Sequence, residues 1–439
     1  MQDRFFALAD EIGRQLKGEE GFLARLAAET SDFVRFNHSA VRQAGTVKQS
    51  YLTLELFKDR RHASQSLGLT GGPEDVDGVK TAVSRLRDVI NDSPEDPFFL
   101  INTTPEPTSR VLPARMPTAE EGIEAVLAAG KGRDMVGIYA SGPITRGFAN
   151  SFGQRNWDAV EAFNIDLSFY LRADKAVKMS HAGTEWDAGA FAAKAAAATA
   201  RLDALARPAK TIAPGGYRVY LAPAAMEELM TMMSWGGFGL ADHRTGTTPL
   251  IKMAEQGVTL NAGVTLRENT RDGLSPSFQD EGFVKPPEVT LIAQGAYKDC
   301  LVSPRSAAEF GVPQNGADAY EAPLALDMAP GTLAQAEILK TLGTGIYIGN
   351  LWYLNYSDRN ACRLTGMTRF ATFWVENGEI AAPLNVMRFD DTLYRMLGSH
   401  LVGLTAERDL LVSADTYENR STRSMRLPGA MVDDLKMTL

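Results

Sequence analysis

The residue types that most often do chemistry are sparse in this chain, and their spacing decides how much can be made of them. Five histidines stand at 38, 62, 181, 243 and 400, and two cysteines at 300 and 362. No histidine has another three to five positions away, and the cysteines lack zinc-knuckle spacing, so no local metal motif is present. Gly343, Gly345 and Gly349 suggest a nucleotide loop. Their spacing departs from the phosphate-binding fingerprints, and Ile346-Tyr347-Ile348 reads as strand rather than the start of a helix. His243 is the most suggestive single site, between Asp242 and Arg244 in Gly239-Leu240-Ala241-Asp242-His243-Arg244-Thr245-Gly246-Thr247-Thr248. A carboxylate and hydroxyls close to an imidazole could orient it for acid–base work. The same stretch also reads as a solvated polar loop. In Trp352-Tyr353-Leu354-Asn355-Tyr356, strand alternation predicts Trp352, Leu354 and Tyr356 on one face and Tyr353 and Asn355 on the other. Such a strand is either core with one aromatic face or a wall that binds peptide.

These residues need elements to hold them. Phe5, Leu8, Ile12 and Leu16 at helical spacing predict one or two amphipathic helices over residues 2 to 28. Leu52, Leu54 and Leu56 alternate, Lys58 to Arg61 turns the chain, and a second alternating run reaches Leu69, which predicts a hairpin. A helix carrying Val79, Val83, Leu86 and Ile90 should stop before Ser93-Pro94. The order then repeats: a Thr118/Glu121 capping box opens a helix, Met135–Ser141 and Gly147–Phe152 read as two strands, Ile165 to Leu171 as another, and Asp187 caps an alanine-rich helix to Ala206. The helix–strand–strand–helix order suggests a duplicated unit without a detectable sequence repeat. Residues 207–216, with two prolines and a glycine pair, read as a linker.

After the linker, strands are expected from Tyr217, at Val289–Ala293 and over Gly345–Asn355, with a type I′ hairpin at Asn377-Gly378. Helices are expected over Ala224–Ser234 and from a Thr332/Gln335 capping box to Gly343. The expected fold is therefore α+β. Residues 1–206 form an N-terminal α/β domain with helices on a mixed sheet. Residues 217–439 form a mainly antiparallel β domain with a few helices.

Several segments together resemble the TldD/PmbA family of metallopeptidase-related proteins. They are residues 32–43, Ala149-Asn150-Ser151-Phe152-Gly153, Tyr217-Arg218-Val219-Tyr220-Leu221-Ala222-Pro223 and a closing block at 345–353, 364–369 and 375–383. In active members of that family, the helix after the 217–223 strand carries H-E-x-x-x-H, and a cysteine near the C-terminus completes a zinc site. At the matching positions this chain has Thr231, Met232 and Gly236, and Asp415 to Ser421 contains no cysteine. Hydroxyl, thioether and hydrogen do not replace imidazole and carboxylate as zinc ligands and general base. Residues 217–439 would be the equivalent of the family's peptidase domain without its metal motif.

The resemblance is to the PmbA or TldE branch. It implies a non-catalytic subunit that pairs with a TldD-like zinc metallopeptidase to process unfolded or modified peptides. Zinc would reside in the partner and no cofactor in this chain. Trp352, Tyr353, Asn355, Tyr356 and His243 are the candidate contacts to peptide or partner. Two alternatives stay open: a hydrolase with its own site, for instance around His243, or a homo-oligomeric peptide-binding scaffold.

Composition narrows the setting. With 439 residues, 45 basic and 54 acidic side chains, the net charge is −9. No basic block provides the clustered positive face that nucleic acid needs. That weighs against direct DNA contact despite the family's older description as a modulator of DNA gyrase. No run approaches the roughly 18 apolar residues of a membrane span. Neither a secretory leader nor a disulfide framework is legible, so the expected location is the cytoplasm.

Overall fold

Long antiparallel ribbons carry most of the chain in the computed structural model, which describes residues 1–173 and 175–438. The first half is α1 (Gln2–Gln15), β1 (Gly21–Asn37), β2 (Ala40–Lys58), β3 (Arg61–Gly68), α2 (Glu74–Ile90), β4 (Thr108–Val111), α3 (Ala119–Gly130), β5 (Asp134–Asn150), β6 (Arg155–Arg172), β7 (Lys175–Gly183) and α4 (Ala188–Leu205). Its strands form one sheet in the order β3-β2-β1-β5-β6-β4, with β7 also paired to β6. All pairs are antiparallel except β4–β6. The predicted duplicated order has a counterpart here. β1-β2-β3 followed by α2 and β5-β6-β7 followed by α4 extend to either side of the central β1–β5 pair.

Two local expectations are corrected. The first helix ends at Gln15, and residues 21–28 are strand rather than helix. Leu23, Ala24, Leu26 and Ala28 are all buried, and their segment pairs with β2 on one side and β5 on the other. Pairing on both edges outweighs the helical preference of leucine and alanine. In the same sheet, the two strands expected around residues 142–146 are one strand, β5. Gly142 and Pro143 run through in register with Ala162 and Glu161. Gly142 has φ +133, and a Cβ there would lie 2.2 Å from the Thr30 carbonyl oxygen. Glycine permits that approach. Pro143 sits where the ladder to β1 is interrupted, between the Glu29–Ile144 and Asp32–Ser141 pairs, so its missing N–H breaks no bond there.

The second half is β8 (Gly215–Leu221), α5 (Pro223–Ser234), α6 (Leu240–Arg244), α7 (Ile251–Gln256), β9 (Leu266–Glu268), β10 (Val289–Ala293), β11 (Ala296–Tyr297), α8 (Pro304–Phe310), β12 (Ala325–Met328), α9 (Ile338–Leu342), β13 (Gly345–Asp358), β14 (Arg363–Glu376), β15 (Glu379–Pro383), β16 (Arg388–Thr392), β17 (Leu401–Val412) and β18 (Ser424–Met437). The strands make an eleven-stranded sheet in the order β11-β10-β9-β12-β18-β16-β14-β13-β8. β15 adds to β14 and β17 to β18. β8 also pairs with β18, so β18, β16, β14, β13 and β8 close into a ring. Only β12–β18 and β13–β8 are parallel. The architecture is α+β, with an N-terminal sheet that is antiparallel but for one pair and a mixed C-terminal sheet.

The Thr332/Gln335 capping box does not form. A 3₁₀ turn over Gln335–Glu337 precedes α9, and the Gln335 carboxamide oxygen accepts from the Tyr220 hydroxyl at 2.9 Å. The Thr118/Glu121 box and the Asp187 cap do form.

One buried side chain ties the two halves together. Arg420, in the loop after β17, is 4% exposed. It donates to the Ala162 carbonyl at 2.7 Å and to the Gly142 carbonyl and the Ser31 hydroxyl at 3.2 Å each. Its backbone N–H donates to the Glu29 carboxylate at 3.3 Å.

Candidate functional site

Helix α5 lies at the centre of the only region where the matched motif positions, large cavities and unpaired charge coincide among the described residues. Pro223 starts it without losing a helical hydrogen bond. The Ala222 N–H donates to the Ile348 carbonyl at 3.0 Å and fixes that start against β13. Ala225, Met226, Leu229, Met230, Met232 and Met233 are buried, a stripe at helical spacing. The opposite stripe, Ala224, Glu227, Glu228 and Thr231, lines a cleft between the two sheets.

The cleft has two adjoining chambers that share Glu227, Thr231, Leu411 and Ala414. The first, about 480 Å³, is walled by α4, β7, α5 and the end of β17. The second, about 680 Å³, lies beyond Thr231 and includes Trp235, Gly236, Asp242, Tyr320, Arg359 and Arg423. Most charges in the first chamber are matched. Asp166 pairs with Lys178 and Asp409 with Lys194, both at 3.0 Å. Arg408 pairs with Asp327 at 2.7 Å, and the Arg201 guanidinium stacks 5.0 Å above the Tyr347 ring. The Glu407 carboxylate accepts from the Gln335 N–H at 2.9 Å. Glu227 and Glu228 make no hydrogen bond or ion pair among the described residues.

Burial, and after it the adjacent Glu228 charge, pushes the Glu227 carboxyl up from its ordinary 4.5 to about 7, with Lys178 opposing. Burial also raises Glu228. The consequence for stability has a definite sign. Below pH 4.5, Glu227 is protonated in both states. Between 4.5 and 7 the unfolded chain releases the proton first, so stability falls with rising pH. Above 7 the full penalty applies, roughly 1–3 kcal/mol. Glu227→Gln is therefore expected to raise the urea midpoint at pH 8 and leave it nearly unchanged at pH 4. An equal effect at both values would refute the assignment.

The matched motif positions do not fit zinc. Thr231 offers the cleft a hydroxyl, Met232 is 9% exposed with its side chain in the core, and Gly236 has none. Cys300 and Cys362 are both buried, and Cys362 belongs to the main core, where burial pushes its thiol up to about 12. Among the described residues, no three His, Cys, Asp or Glu side chains converge as a metal site.

The other residues singled out from the sequence are dispersed. His243 lies on α6, its Nε2 3.0 Å from the Gly237 carbonyl oxygen and its ring 5.0 Å from that of Tyr297. Its Nδ1 is buried without a partner among the described residues, and burial lowers its pKa. It lines neither chamber. Asp242 does line one, but its carboxylate accepts from the Thr247 hydroxyl at 2.8 Å rather than orienting the imidazole.

Trp352 and Tyr353 are 46% and 76% exposed, and Asn355 is also exposed. Tyr353 has φ +56, and the pairing with β14 slips between Trp352 and Asn355. This bulge breaks the expected alternation: Leu354 and Tyr356 pack on the core, while Trp352 lies beneath the Arg369 guanidinium at 4.1 Å. Of the four, Tyr356 comes nearest the cleft. Its hydroxyl donates to the Met232 carbonyl at 2.6 Å. The Arg359 guanidinium lies 5.1 Å from its ring and 5.4 Å from that of Trp235.

Glu227 and Glu228 were missed in the sequence. The available signal was two consecutive carboxylates on the polar stripe of a methionine-rich helix.

Comparison with known proteins places this arrangement. Residues 214–439 match the family described as the PmbA/TldA metallopeptidase C-terminal domain. No curated protein sequence matches the chain. Among solved structures, TldE from Thermococcus kodakarensis superposes with a TM-score of 0.77 at 14% identity, covering 100% of both chains. A candidate modulator of a DNA gyrase from Thermotoga maritima gives 0.72 at 17% identity, covering 99% of both. Another from Bacteroides thetaiotaomicron gives 0.75 at 14% identity, covering 99% of this chain and 98% of that one. At these identities the likeness is one of fold. The family match spans more than half of the residues, and this chain belongs to the metallopeptidase-related TldD/PmbA family.

Proposed function

We infer that this chain is a TldE-like, non-catalytic subunit of a heteromeric peptidase whose zinc is held by a TldD-type partner. One observation carries the reading. Helix α5 still floors a large cleft, yet the three positions that would bind metal and activate water present a hydroxyl, a core thioether and no side chain. Such a subunit would complete a chamber that excludes folded proteins and would help to hold an extended peptide. Strand addition satisfies the backbone of such a peptide. The exposed Trp352 and Tyr353 are suited to partner contact, since amphipathic rings are favoured at interfaces. No helix among the described residues is long and apolar enough to cross a membrane, and a cytoplasmic location is part of the proposal.

The test is biochemical. Purified alone, the protein is expected to hold no stoichiometric zinc and to show no peptidase activity. Mixed with a TldD-type chain encoded in the same genome, it should form a complex by light scattering that cleaves unfolded peptides. One tightly held zinc per isolated chain, lost together with activity on chelation, would overturn the reading. So would failure of the mixture to associate or to cleave.

A further inference from the structure

The cleft along α5 is polar in a directional way that metal chemistry does not account for. Its first chamber contains two neighbouring carboxylates, Glu227 and Glu228, that lack partners although every other carboxylate lining that chamber has one. Partly buried charges without partners cost stability, and a ligand that supplied the opposing charge would offset that cost. The second chamber alone contains Arg359 and Arg423. Arg359 is committed to the carbonyls of Trp235 and Thr247, whereas the Arg423 guanidinium makes no hydrogen bond or ion pair among the described residues. The wall shared by the two chambers is Glu227 together with Thr231, Leu411 and Ala414, the last three small or apolar. From Glu227 to Trp235 the α5 face is about 12 Å long at the helical rise. That length accommodates roughly three or four residues of extended chain.

We propose that this cleft binds a short peptide in extended form, with its free amino terminus between Glu227 and Glu228 and its carboxylate at Arg423. The amine donates to the two carboxylates, and charge-assisted hydrogen bonds of this kind are the stronger class. The passage beside Thr231 holds the peptide's middle, and the exposed Trp235 and Tyr320 border its far end. Burial and the adjacent Glu228 charge raise the Glu227 carboxyl, a cost that a bound ammonium would offset. The inference rests on the reading of this chain as a peptide-handling subunit. It adds a second peptide site to that reading, on the subunit without metal.

Calorimetry on the full chain with tetra-alanine as the probe tests it at pH 8. The free peptide should bind, and N-acetylation should weaken binding at least tenfold. In the Glu227→Gln/Glu228→Gln double variant, the free and acetylated peptides should bind equally weakly. C-terminal amidation should weaken binding to the parent but not to Arg423→Gln. Thr231→Trp, at an exposed position, should block binding with its melting temperature held. Absence of binding, or equal binding of free and acetylated peptide to the parent, overturns the proposal. This outcome is separable from failure of the subunit reading, which is scored by complex formation and cleavage with the partner chain. An active pair in which this chain binds no peptide would sink the cleft proposal alone.

Discussion

Arg420→Ala is expected to lower stability by about 3–5 kcal/mol, the cost of removing one partner from a buried charged network. The side chain reaches the Ala162 and Gly142 carbonyls and the Ser31 hydroxyl, so truncation leaves two carbonyls of the N-terminal sheet without their donor. The Glu29 carboxylate keeps its bonds from Ser31 and Gln49 but loses the nearby positive charge. Arg420→Lys should recover less than half of the loss, because an ammonium cannot reproduce the planar fork that serves three acceptors. Urea unfolding of the three proteins at pH 7 measures both effects. A change below about 1 kcal/mol, the range of an ordinary hydrogen bond, would mean that the loop is not an anchor.

The second large effect concerns restoring the metal motif. Thr231→His/Met232→Glu/Gly236→His writes H-E-x-x-x-H back into the chain, and the product is expected to bind no zinc and to be strongly destabilised. Glutamate at 232 places a carboxylate in the main hydrophobic core, a change of about 3 kcal/mol or more. Gly236 has φ +73, where any other L-residue costs roughly 1–2 kcal/mol. A Cβ there would also lie 2.5 Å from Arg359 Nη2 and 2.8 Å from Asp242 Oδ1. Elemental analysis and a melting curve of the triple variant decide the matter. One zinc per chain at unchanged stability would show that only the ligands, and not their surroundings, differ from a metal site.

Much of this was readable before the fold was known, and the misreadings share a cause. Local signals were legible where local chemistry decides the outcome: the Thr118 and Asp187 caps, the β2–β3 hairpin and the turn at Asn377-Gly378 all form. Residues 21–28 were misread because their helical preference is overridden by strands on either side, one of them β5, far away in sequence. Gly142-Pro143 looked like a break because the approach of Thr30 that fits glycine comes from another strand. The alternation at Trp352 failed at a bulge, and no residue type in Trp352-Tyr353-Leu354 announces a left-handed tyrosine. For the site, Thr231, Met232 and Gly236 were correctly placed on and just beyond a helix. The charge that defines the cleft was invisible, because pairing of Asp166, Asp409 and Glu407 and its absence at Glu227 and Glu228 depend on elements from both halves.

The position of β18 has a consequence for how the chain is made. It runs through the interior of the C-terminal sheet, in contact with β12, β16, β17 and β8, and Val432 faces Val219 across the β8 ladder. During vectorial synthesis the N-terminal sheet has all its strands once Gly183 is out, whereas β8 emerges next and waits for a neighbour that is translated last among the described strands. Through that interval β8 is held only by what arrives sooner, including β13. A nascent chain stalled before Ser424 would expose an open seam with unpaired backbone, the state in which strands add to foreign edges. The fold thus closes its second sheet only with the last of the described strands, after the first sheet is already in place to receive Arg420.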